Sequence, residues 1–162
     1  MPPPSPSDHP AFRLTLLPHI FRVEQYKTTE KIPSHFLELL TGGTSAQSQG
    51  SSASRAPFVS VTRTDEEISI VYEVEFGSDD STLNEDEATS TWRCIKIAGP
   101  MDFEITGVMC NFSMPLKLAS IPIFAVSTWN TDYVLVPEDE ASKAVDVLKA
   151  DGWTFIDHET PV

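Results

Sequence analysis

The stretch Trp92–Val136 constrains the fold of this chain more than any other. Arg93–Ala98, a run rich in β-forming residues, meets Gly99-Pro100, a pair that marks a turn. Ile105, Val108, Met109, Phe112 and Leu116 then recur at helical spacing, which places them on one apolar face. Pro115 lacks the N–H that the carbonyl of Asn111 would accept, so the helix is expected to kink or end nearby. Two short apolar runs, Pro122–Val126 and Tyr133–Val136, follow on either side of a polar turn and read as strands. Ala141, Ala144, Val145 and Leu148 share one face of a second helix, expected over Glu138–Ala150 and stopped by Asp151-Gly152. Trp153–Ile156 reads as a closing strand. The order β-α-β-β-α-β is the split ferredoxin-like arrangement, an α+β fold whose antiparallel sheet carries its helices on one face.

The N-terminal half is less regular. Ala11–Leu17 and Ile20–Val23 are strand-like, with Pro18 expected to interrupt them. Ile32–Leu40 reads as a short helix with Pro33 in its first turn. Pro57 opens the run FVSVTRT, and EISIVYEV follows over Glu67–Val74, giving two strands around a Thr-Asp turn. The stretch 41–56 is Gly, Ser, Ala and Gln with almost no apolar side chains, a composition that cannot bury enough surface to order itself. The expected organisation is a Pro-rich disordered tail over 1–10, without the charged and apolar regions of a signal peptide, and an N-terminal module over 11–75 holding the flexible insertion 41–56. An acidic loop over 76–91 and a C-terminal module over 92–157 complete it. The N-terminal module has strands and one helix before Val74, but no clear second helix.

Charge and cysteine content narrow the function. The formal net charge of −13 argues against nucleic acid, whose phosphates reward Lys and Arg, and against anionic membrane surfaces. Apolar runs fall far short of the roughly 20 residues a membrane-spanning helix needs. Cys94 and Cys110 are too few for a disulfide framework and lack metal-ligand spacing, so a reduced, cytoplasmic compartment is expected, with no metal and no cofactor. Thr64–Trp92 holds ten acidic residues and no Lys or Arg. Such a run reads first as a solvated loop that keeps the chain soluble, with a docking site for a basic partner as the alternative.

Several segments together resemble the small tandem ACT-domain proteins. They are SVTRTDEEISIV (Ser60–Val71), WRCIKIAGP (Trp92–Pro100), DFEITGV (Asp102–Val108), Pro115-Leu116 and IPIFAVSTWNTDYVLV (Ile121–Val136). These proteins are related to the ACT modules of aspartate kinase and to the CASTOR-type arginine sensors. The resemblance covers roughly Phe58–Phe155, with weaker agreement over Phe12–Val23, and rests on the pair GP-x-D-F…TG and S-T-x-N-T-D. It implies two ACT-like modules of ferredoxin-like topology. It also implies a regulatory ligand sensor that binds an amino acid or similar small metabolite and acts through a partner protein. The insertion 41–56 and the acidic loop are enlarged relative to compact members. The CASTOR sensors carry four modules per chain and this chain has room for two, so rebuilding the larger arrangement requires a homodimer.

The residues at the loops suit such a site. Gly99 lets backbone approach a ligand closely. Asp102, Thr106 and Gly107 lie where the chain enters a helix, whose free N–H groups and dipole favour a carboxylate. Thr106 and Gly107 are placed in the first turn of that helix or just beyond it. Ser127, Thr128, Asn130 and Asp132 cluster on the turn between the two strands. There Asp132 suits an amine or guanidinium, and Thr128 and Asn130 suit neutral hydrogen bonds. The resemblance puts Asp132 on an acidic ligand contact, with Asp102 and Thr106 near the helix-start loop. Where the arginine sensors have an acidic contact, just before Thr106, this chain has Ile105, so the implied effector is an amino acid rather than arginine in particular. Trp129 reads equally as a lid or as a packing residue.

Two other functions stay open at this level. One is an acid–base enzyme on a small metabolite, using Asp102 or Asp132 with His19 or His35, although no phosphate-binding loop, dinucleotide fingerprint, HExxH or GxSxG is present and no catalytic residue is assigned. The other is a ligand-independent interaction module. Cys94 lies mid-strand in an apolar run and Cys110 in the first helix of the C-terminal module, and both read as inert core thiols.

Overall fold

Leu14–Lys27 forms one uninterrupted strand, β1, straight through Pro18. Sequence reading expects a break there. Pairing of β1 with its neighbour β3 (Glu67–Glu73) begins only at Phe21, so the missing N–H of Pro18 falls outside that ladder. The computed structural model describes residues 10–41, 56–74, 90–100 and 106–157. Most of the expected tail, of the insertion and of the acidic loop, together with Asp102 and Ile105, lies outside those residues.

The chain divides into two compact units, and β1 contributes to both. The N-terminal unit comprises, among described residues, 19–41, 56–74 and 90–91. Helix α1 (Ser34–Thr41) follows Pro33, and β2 (Val59–Arg63) pairs antiparallel with β3, which pairs antiparallel with β1. Thr64 closes the β2–β3 turn, with its hydroxyl accepting from the amides of Glu66 and Glu67 at 3.2 and 3.1 Å. Alternation along β3 aims Ile68, Ile70 and Tyr72 at Phe36 of α1 to make the core of this unit.

The C-terminal unit joins residues 10–18 to 92–157. A 3-10 turn (Pro10–Phe12) precedes β1. Strands β4 (Trp92–Ile97), β5 (Phe124–Ser127) and β6 (Asp132–Pro137) are antiparallel, with β6 central between β4 and β5. Helices α2 (Val108–Leu118) and α3 (Ala141–Ala150, entered through a 3-10 turn at Glu138–Glu140) cover one face. Ile95, Ile97, Val134 and Val136 supply that face, and Val108, Phe112, Leu116, Ala141, Ala144 and Leu148 pack on it. Val108, Phe112 and Leu116 are thus buried at the helical spacing the sequence shows, and Met109 is half-buried. Pro115 sits inside α2 and is buried. The helix ends at Leu118, with Ser120 in the left-handed region at φ 60°.

Two expectations change. The helix expected from Glu138 is α-helical only from Ala141. The closing strand Trp153–Ile156 is reduced to one parallel bridge, Phe155 to Leu14. Two backbone bonds of 2.8 Å hold it, from the Leu14 amide to Thr154 and from the Ile156 amide to Leu14. In this unit β1 adjoins β4, and the amides of Ala98 and Gly99 donate to Arg13 and Ala11. The N-terminal strand therefore takes the position beside β4 that a closing strand occupies in the simple split arrangement. Among the described residues no helix is long and apolar enough to cross a membrane, and no cluster of His, Cys, Asp and Glu could hold a metal ion.

Candidate functional site

The end of β4 and the β5–β6 turn come together through Gly99 and Thr131. Gly99 has φ +63°, a conformation that disfavours any side chain. A Cβ there would lie 2.8 Å from the Asn130 carbonyl oxygen and 3.1 Å from the Thr131 Cβ. This is the close backbone approach for which glycine is suited, made here to the turn itself. The turn is closed by two threonines. The Thr128 amide and hydroxyl each donate to the Thr131 carbonyl at 2.9 Å, and the Thr131 amide donates to the Thr128 hydroxyl at 3.2 Å.

Ser127 and Asp132 face each other across β5 and β6 as the last pair of the ladder. Asp132 is in line with Val134 and Val136, which belong to the helix-covered core, so it stands on the helix-bearing side at the end of the sheet. Among the described residues, the side chains of Ser127, Asn130 and Asp132 make no hydrogen bond or ion pair. Trp129 projects from the tip of the turn, 84% exposed. On the opposite face of the same strands, the Lys96 ammonium lies 5.9 Å from the centre of the Tyr133 ring. Burial pushes the Tyr133 hydroxyl above its ordinary range.

The structure therefore brings together five of the eight residues singled out: Gly99, Ser127, Thr128, Asn130 and Asp132. Thr106 and Gly107 are exposed and precede α2 rather than forming its first turn. Gly107 occupies the N-cap position at φ 79°, and among the described residues no non-neighbouring atom lies within 4 Å of where its Cβ would be. Among the described residues no side-chain cap bond is made at Gly107 and no acidic residue stands in the first turn, so the first N–H groups of α2 lack a cap from those residues. Asp102 lies outside the described residues. Sequence reasoning passes over Thr131, which is buried at 3% exposure and donates its hydroxyl to the Ile97 carbonyl at 2.5 Å. A signal was present: T-x-x-T in a four-residue turn is the pattern in which two hydroxyl residues satisfy each other's backbone. His19 and His35 belong to the other unit.

The segment 87–150, which includes every residue of this constellation, matches the family model of the ACT domain. That match falls largely in the C-terminal unit. The chain is related to the cytosolic arginine sensor for mTORC1 subunit 1. It is 30% identical to the human protein over 90% of this chain and 46% of that one, and 33% identical to the rat protein over 64% of this chain and 32% of that one. The chain spans less than half the length of these relatives. Among solved structures, protein Atu0741 from Agobacterium tumefaciens superposes with a TM-score of 0.65 at 27% identity, over 95% of this chain and 98% of that one. The aspartokinase alpha and beta subunits share the fold, with a TM-score of 0.52 at 13% identity over 86% of this chain and 96% of that one.

Proposed function

We propose that the chain is a regulatory protein that binds an amino acid, or a similar small zwitterion, where the β5–β6 turn meets the end of β4. The observation that carries this reading is the open polar set on that turn. Among the described residues, Ser127, Asn130 and Asp132 hold unengaged hydrogen-bonding groups beside a glycine-permitted close approach, all within the ACT-matched segment. Asp132 receives the ligand's amine and Thr128 and Asn130 its neutral groups. The start of α2, which has no side-chain cap among the described residues and follows Thr106 and Gly107, with Asp102 earlier in the sequence, offers N–H donors to the carboxylate. The sensors to which the chain is related carry arginine in their name, which supports an amino-acid effector. The N-terminal unit is a second, abbreviated ACT-like module, and a homodimer or a partner protein receives the signal.

A thermal-shift screen against the twenty amino acids, with mass analysis of each one afterwards, tests this. An effector that binds only the folded chain stabilises it by about 2.7 kcal/mol at a hundredfold excess over Kd. The expected result is a shift for a small set of amino acids recovered unchanged, lost in Asp132→Ala. A ligand recovered chemically altered would instead show an enzyme, and no shift with any amino acid removes the sensor reading.

A further inference from the structure

Thr131 stands apart from its neighbours on the turn. Thr128, Trp129 and Asn130 are exposed, whereas Thr131 is buried and uses every polar group it has. Its amide and carbonyl close the turn with Thr128, and its hydroxyl leaves the turn to reach the Ile97 carbonyl. The β4–β6 ladder ends at Lys96 and Tyr133, so beyond that pair the Thr131 hydroxyl supplies the donor that the ladder no longer provides. The next amides of the chain, Ala98 and Gly99, are bonded to Arg13 and Ala11 at 2.7 and 3.1 Å. Gly99, lacking a side chain, allows the Asn130 carbonyl to settle against it. The end of β4 is therefore fixed by residues 11–13 and by the turn, with Thr131 as the side-chain link to the turn.

We propose that Thr131 is a positioning residue. Its hydroxyl pins the β5–β6 turn to the end of β4 and so sets where Thr128, Asn130 and Asp132 stand relative to Gly99. The proposal rests on the amino-acid-site reading above. Without the pin, the exposed tip of the turn moves independently of β4, and a ligand contacting both must order them on binding, which lowers affinity.

Thr131→Val tests this directly. It is nearly isosteric, keeps the three bonds that the Thr131 amide and carbonyl make with Thr128, and removes only the hydroxyl; Thr131→Ser restores it. Two readouts are compared in the full chain: amide hydrogen exchange at Gly99, Thr128 and Asp132 without ligand, and affinity for the amino acids of the screen, each tested singly. The expected result for valine is exchange faster, and binding weaker, by about tenfold, the equivalent of one lost hydrogen bond, with serine returning both toward the parent. The serine rescue separates loss of the hydroxyl from loss of packing. Valine matching the parent in both readouts overturns the proposal. A parent that binds no amino acid removes the site reading but leaves the pin to the exchange data. Unchanged exchange then overturns it, and faster exchange reversed by serine supports it.

Discussion

Each unit places a carboxylate on a sheet strand, and the two carboxylates meet opposite conditions. In the N-terminal unit Glu24 accepts from two phenols, Tyr72 at 2.5 Å and Tyr26 at 2.6 Å. Tyr72 is itself part of the core under α1. In the C-terminal unit Asp132 has no such donor among the described residues, and its neighbours Ser127 and Asn130 are equally unengaged. Polar side chains that satisfy one another stiffen a fold, while polar side chains left open on a fixed scaffold are available to something else. The contrast locates the candidate site in the C-terminal unit and gives the Glu24 cluster a structural role.

The largest expected effect concerns the scaffold. Phe112 is fully buried, with its ring edge-on to Trp153 at 5.5 Å. Phe112→Ala should cost about 3–5 kcal/mol by cavity formation, read by chemical denaturation, and should abolish ligand binding with it. Next come the glycines. Gly99→Ala forces a Cβ against the Asn130 carbonyl in a left-handed conformation and should cost about 1–3 kcal/mol. Gly107→Ala has the same backbone strain with open space around it, so it should cost only about 1 kcal/mol. Equal losses at the two positions would break the claim that the turn sits tightly on Gly99.

The Glu24 cluster predicts a smaller effect with a pH signature. Glu24→Gln should lower stability by about 1–2 kcal/mol, since both phenols lose a charged acceptor. Burial, and then the bond to Glu24, raise the pKa of both Tyr26 and Tyr72. Above the free-tyrosine value of about 10 the folded chain therefore holds more protons than the unfolded one. The stability these groups contribute is full below about pH 10 and is lost as pH rises beyond it. Melting temperatures measured across that range should fall, and Tyr72→Phe should flatten the fall. The smallest effect is at Lys143, whose exposed pair with Glu140 at 2.8 Å should contribute within about 0.5 kcal/mol.

Local pattern was enough to read the two helices and three strands of the C-terminal unit, though not all of their ends. The helical spacing of Val108, Phe112 and Leu116 and the continuous apolar run Val134–Val136 in β6 are local properties, and both match buried residues. What the sequence hid is non-local. Whether Pro18 breaks β1 depends on where the β3 ladder begins, and whether 153–156 forms a strand depends on which segment lies beside β4. The start of α2 at Val108 follows from the left-handed Gly107, which no pattern of apolar residues marks. The turn's open polar residues were legible as a cluster in S-T-x-N-T-D. The T-x-x-T spacing marks the part of Thr131 in closing the turn, but not the reach of its hydroxyl to Ile97, a carbonyl thirty-four positions away.

The most direct test is an NMR titration of the full chain with each of the twenty amino acids, following the backbone amides of Gly99, Thr128, Asn130 and Asp132 beside those of Glu24 and Tyr72. The account predicts saturable shifts for a few amino acids at the first four amides, with Glu24 and Tyr72 shifting far less. Saturable shifts centred on Glu24 and Tyr72, or none at the turn with any amino acid, would contradict it.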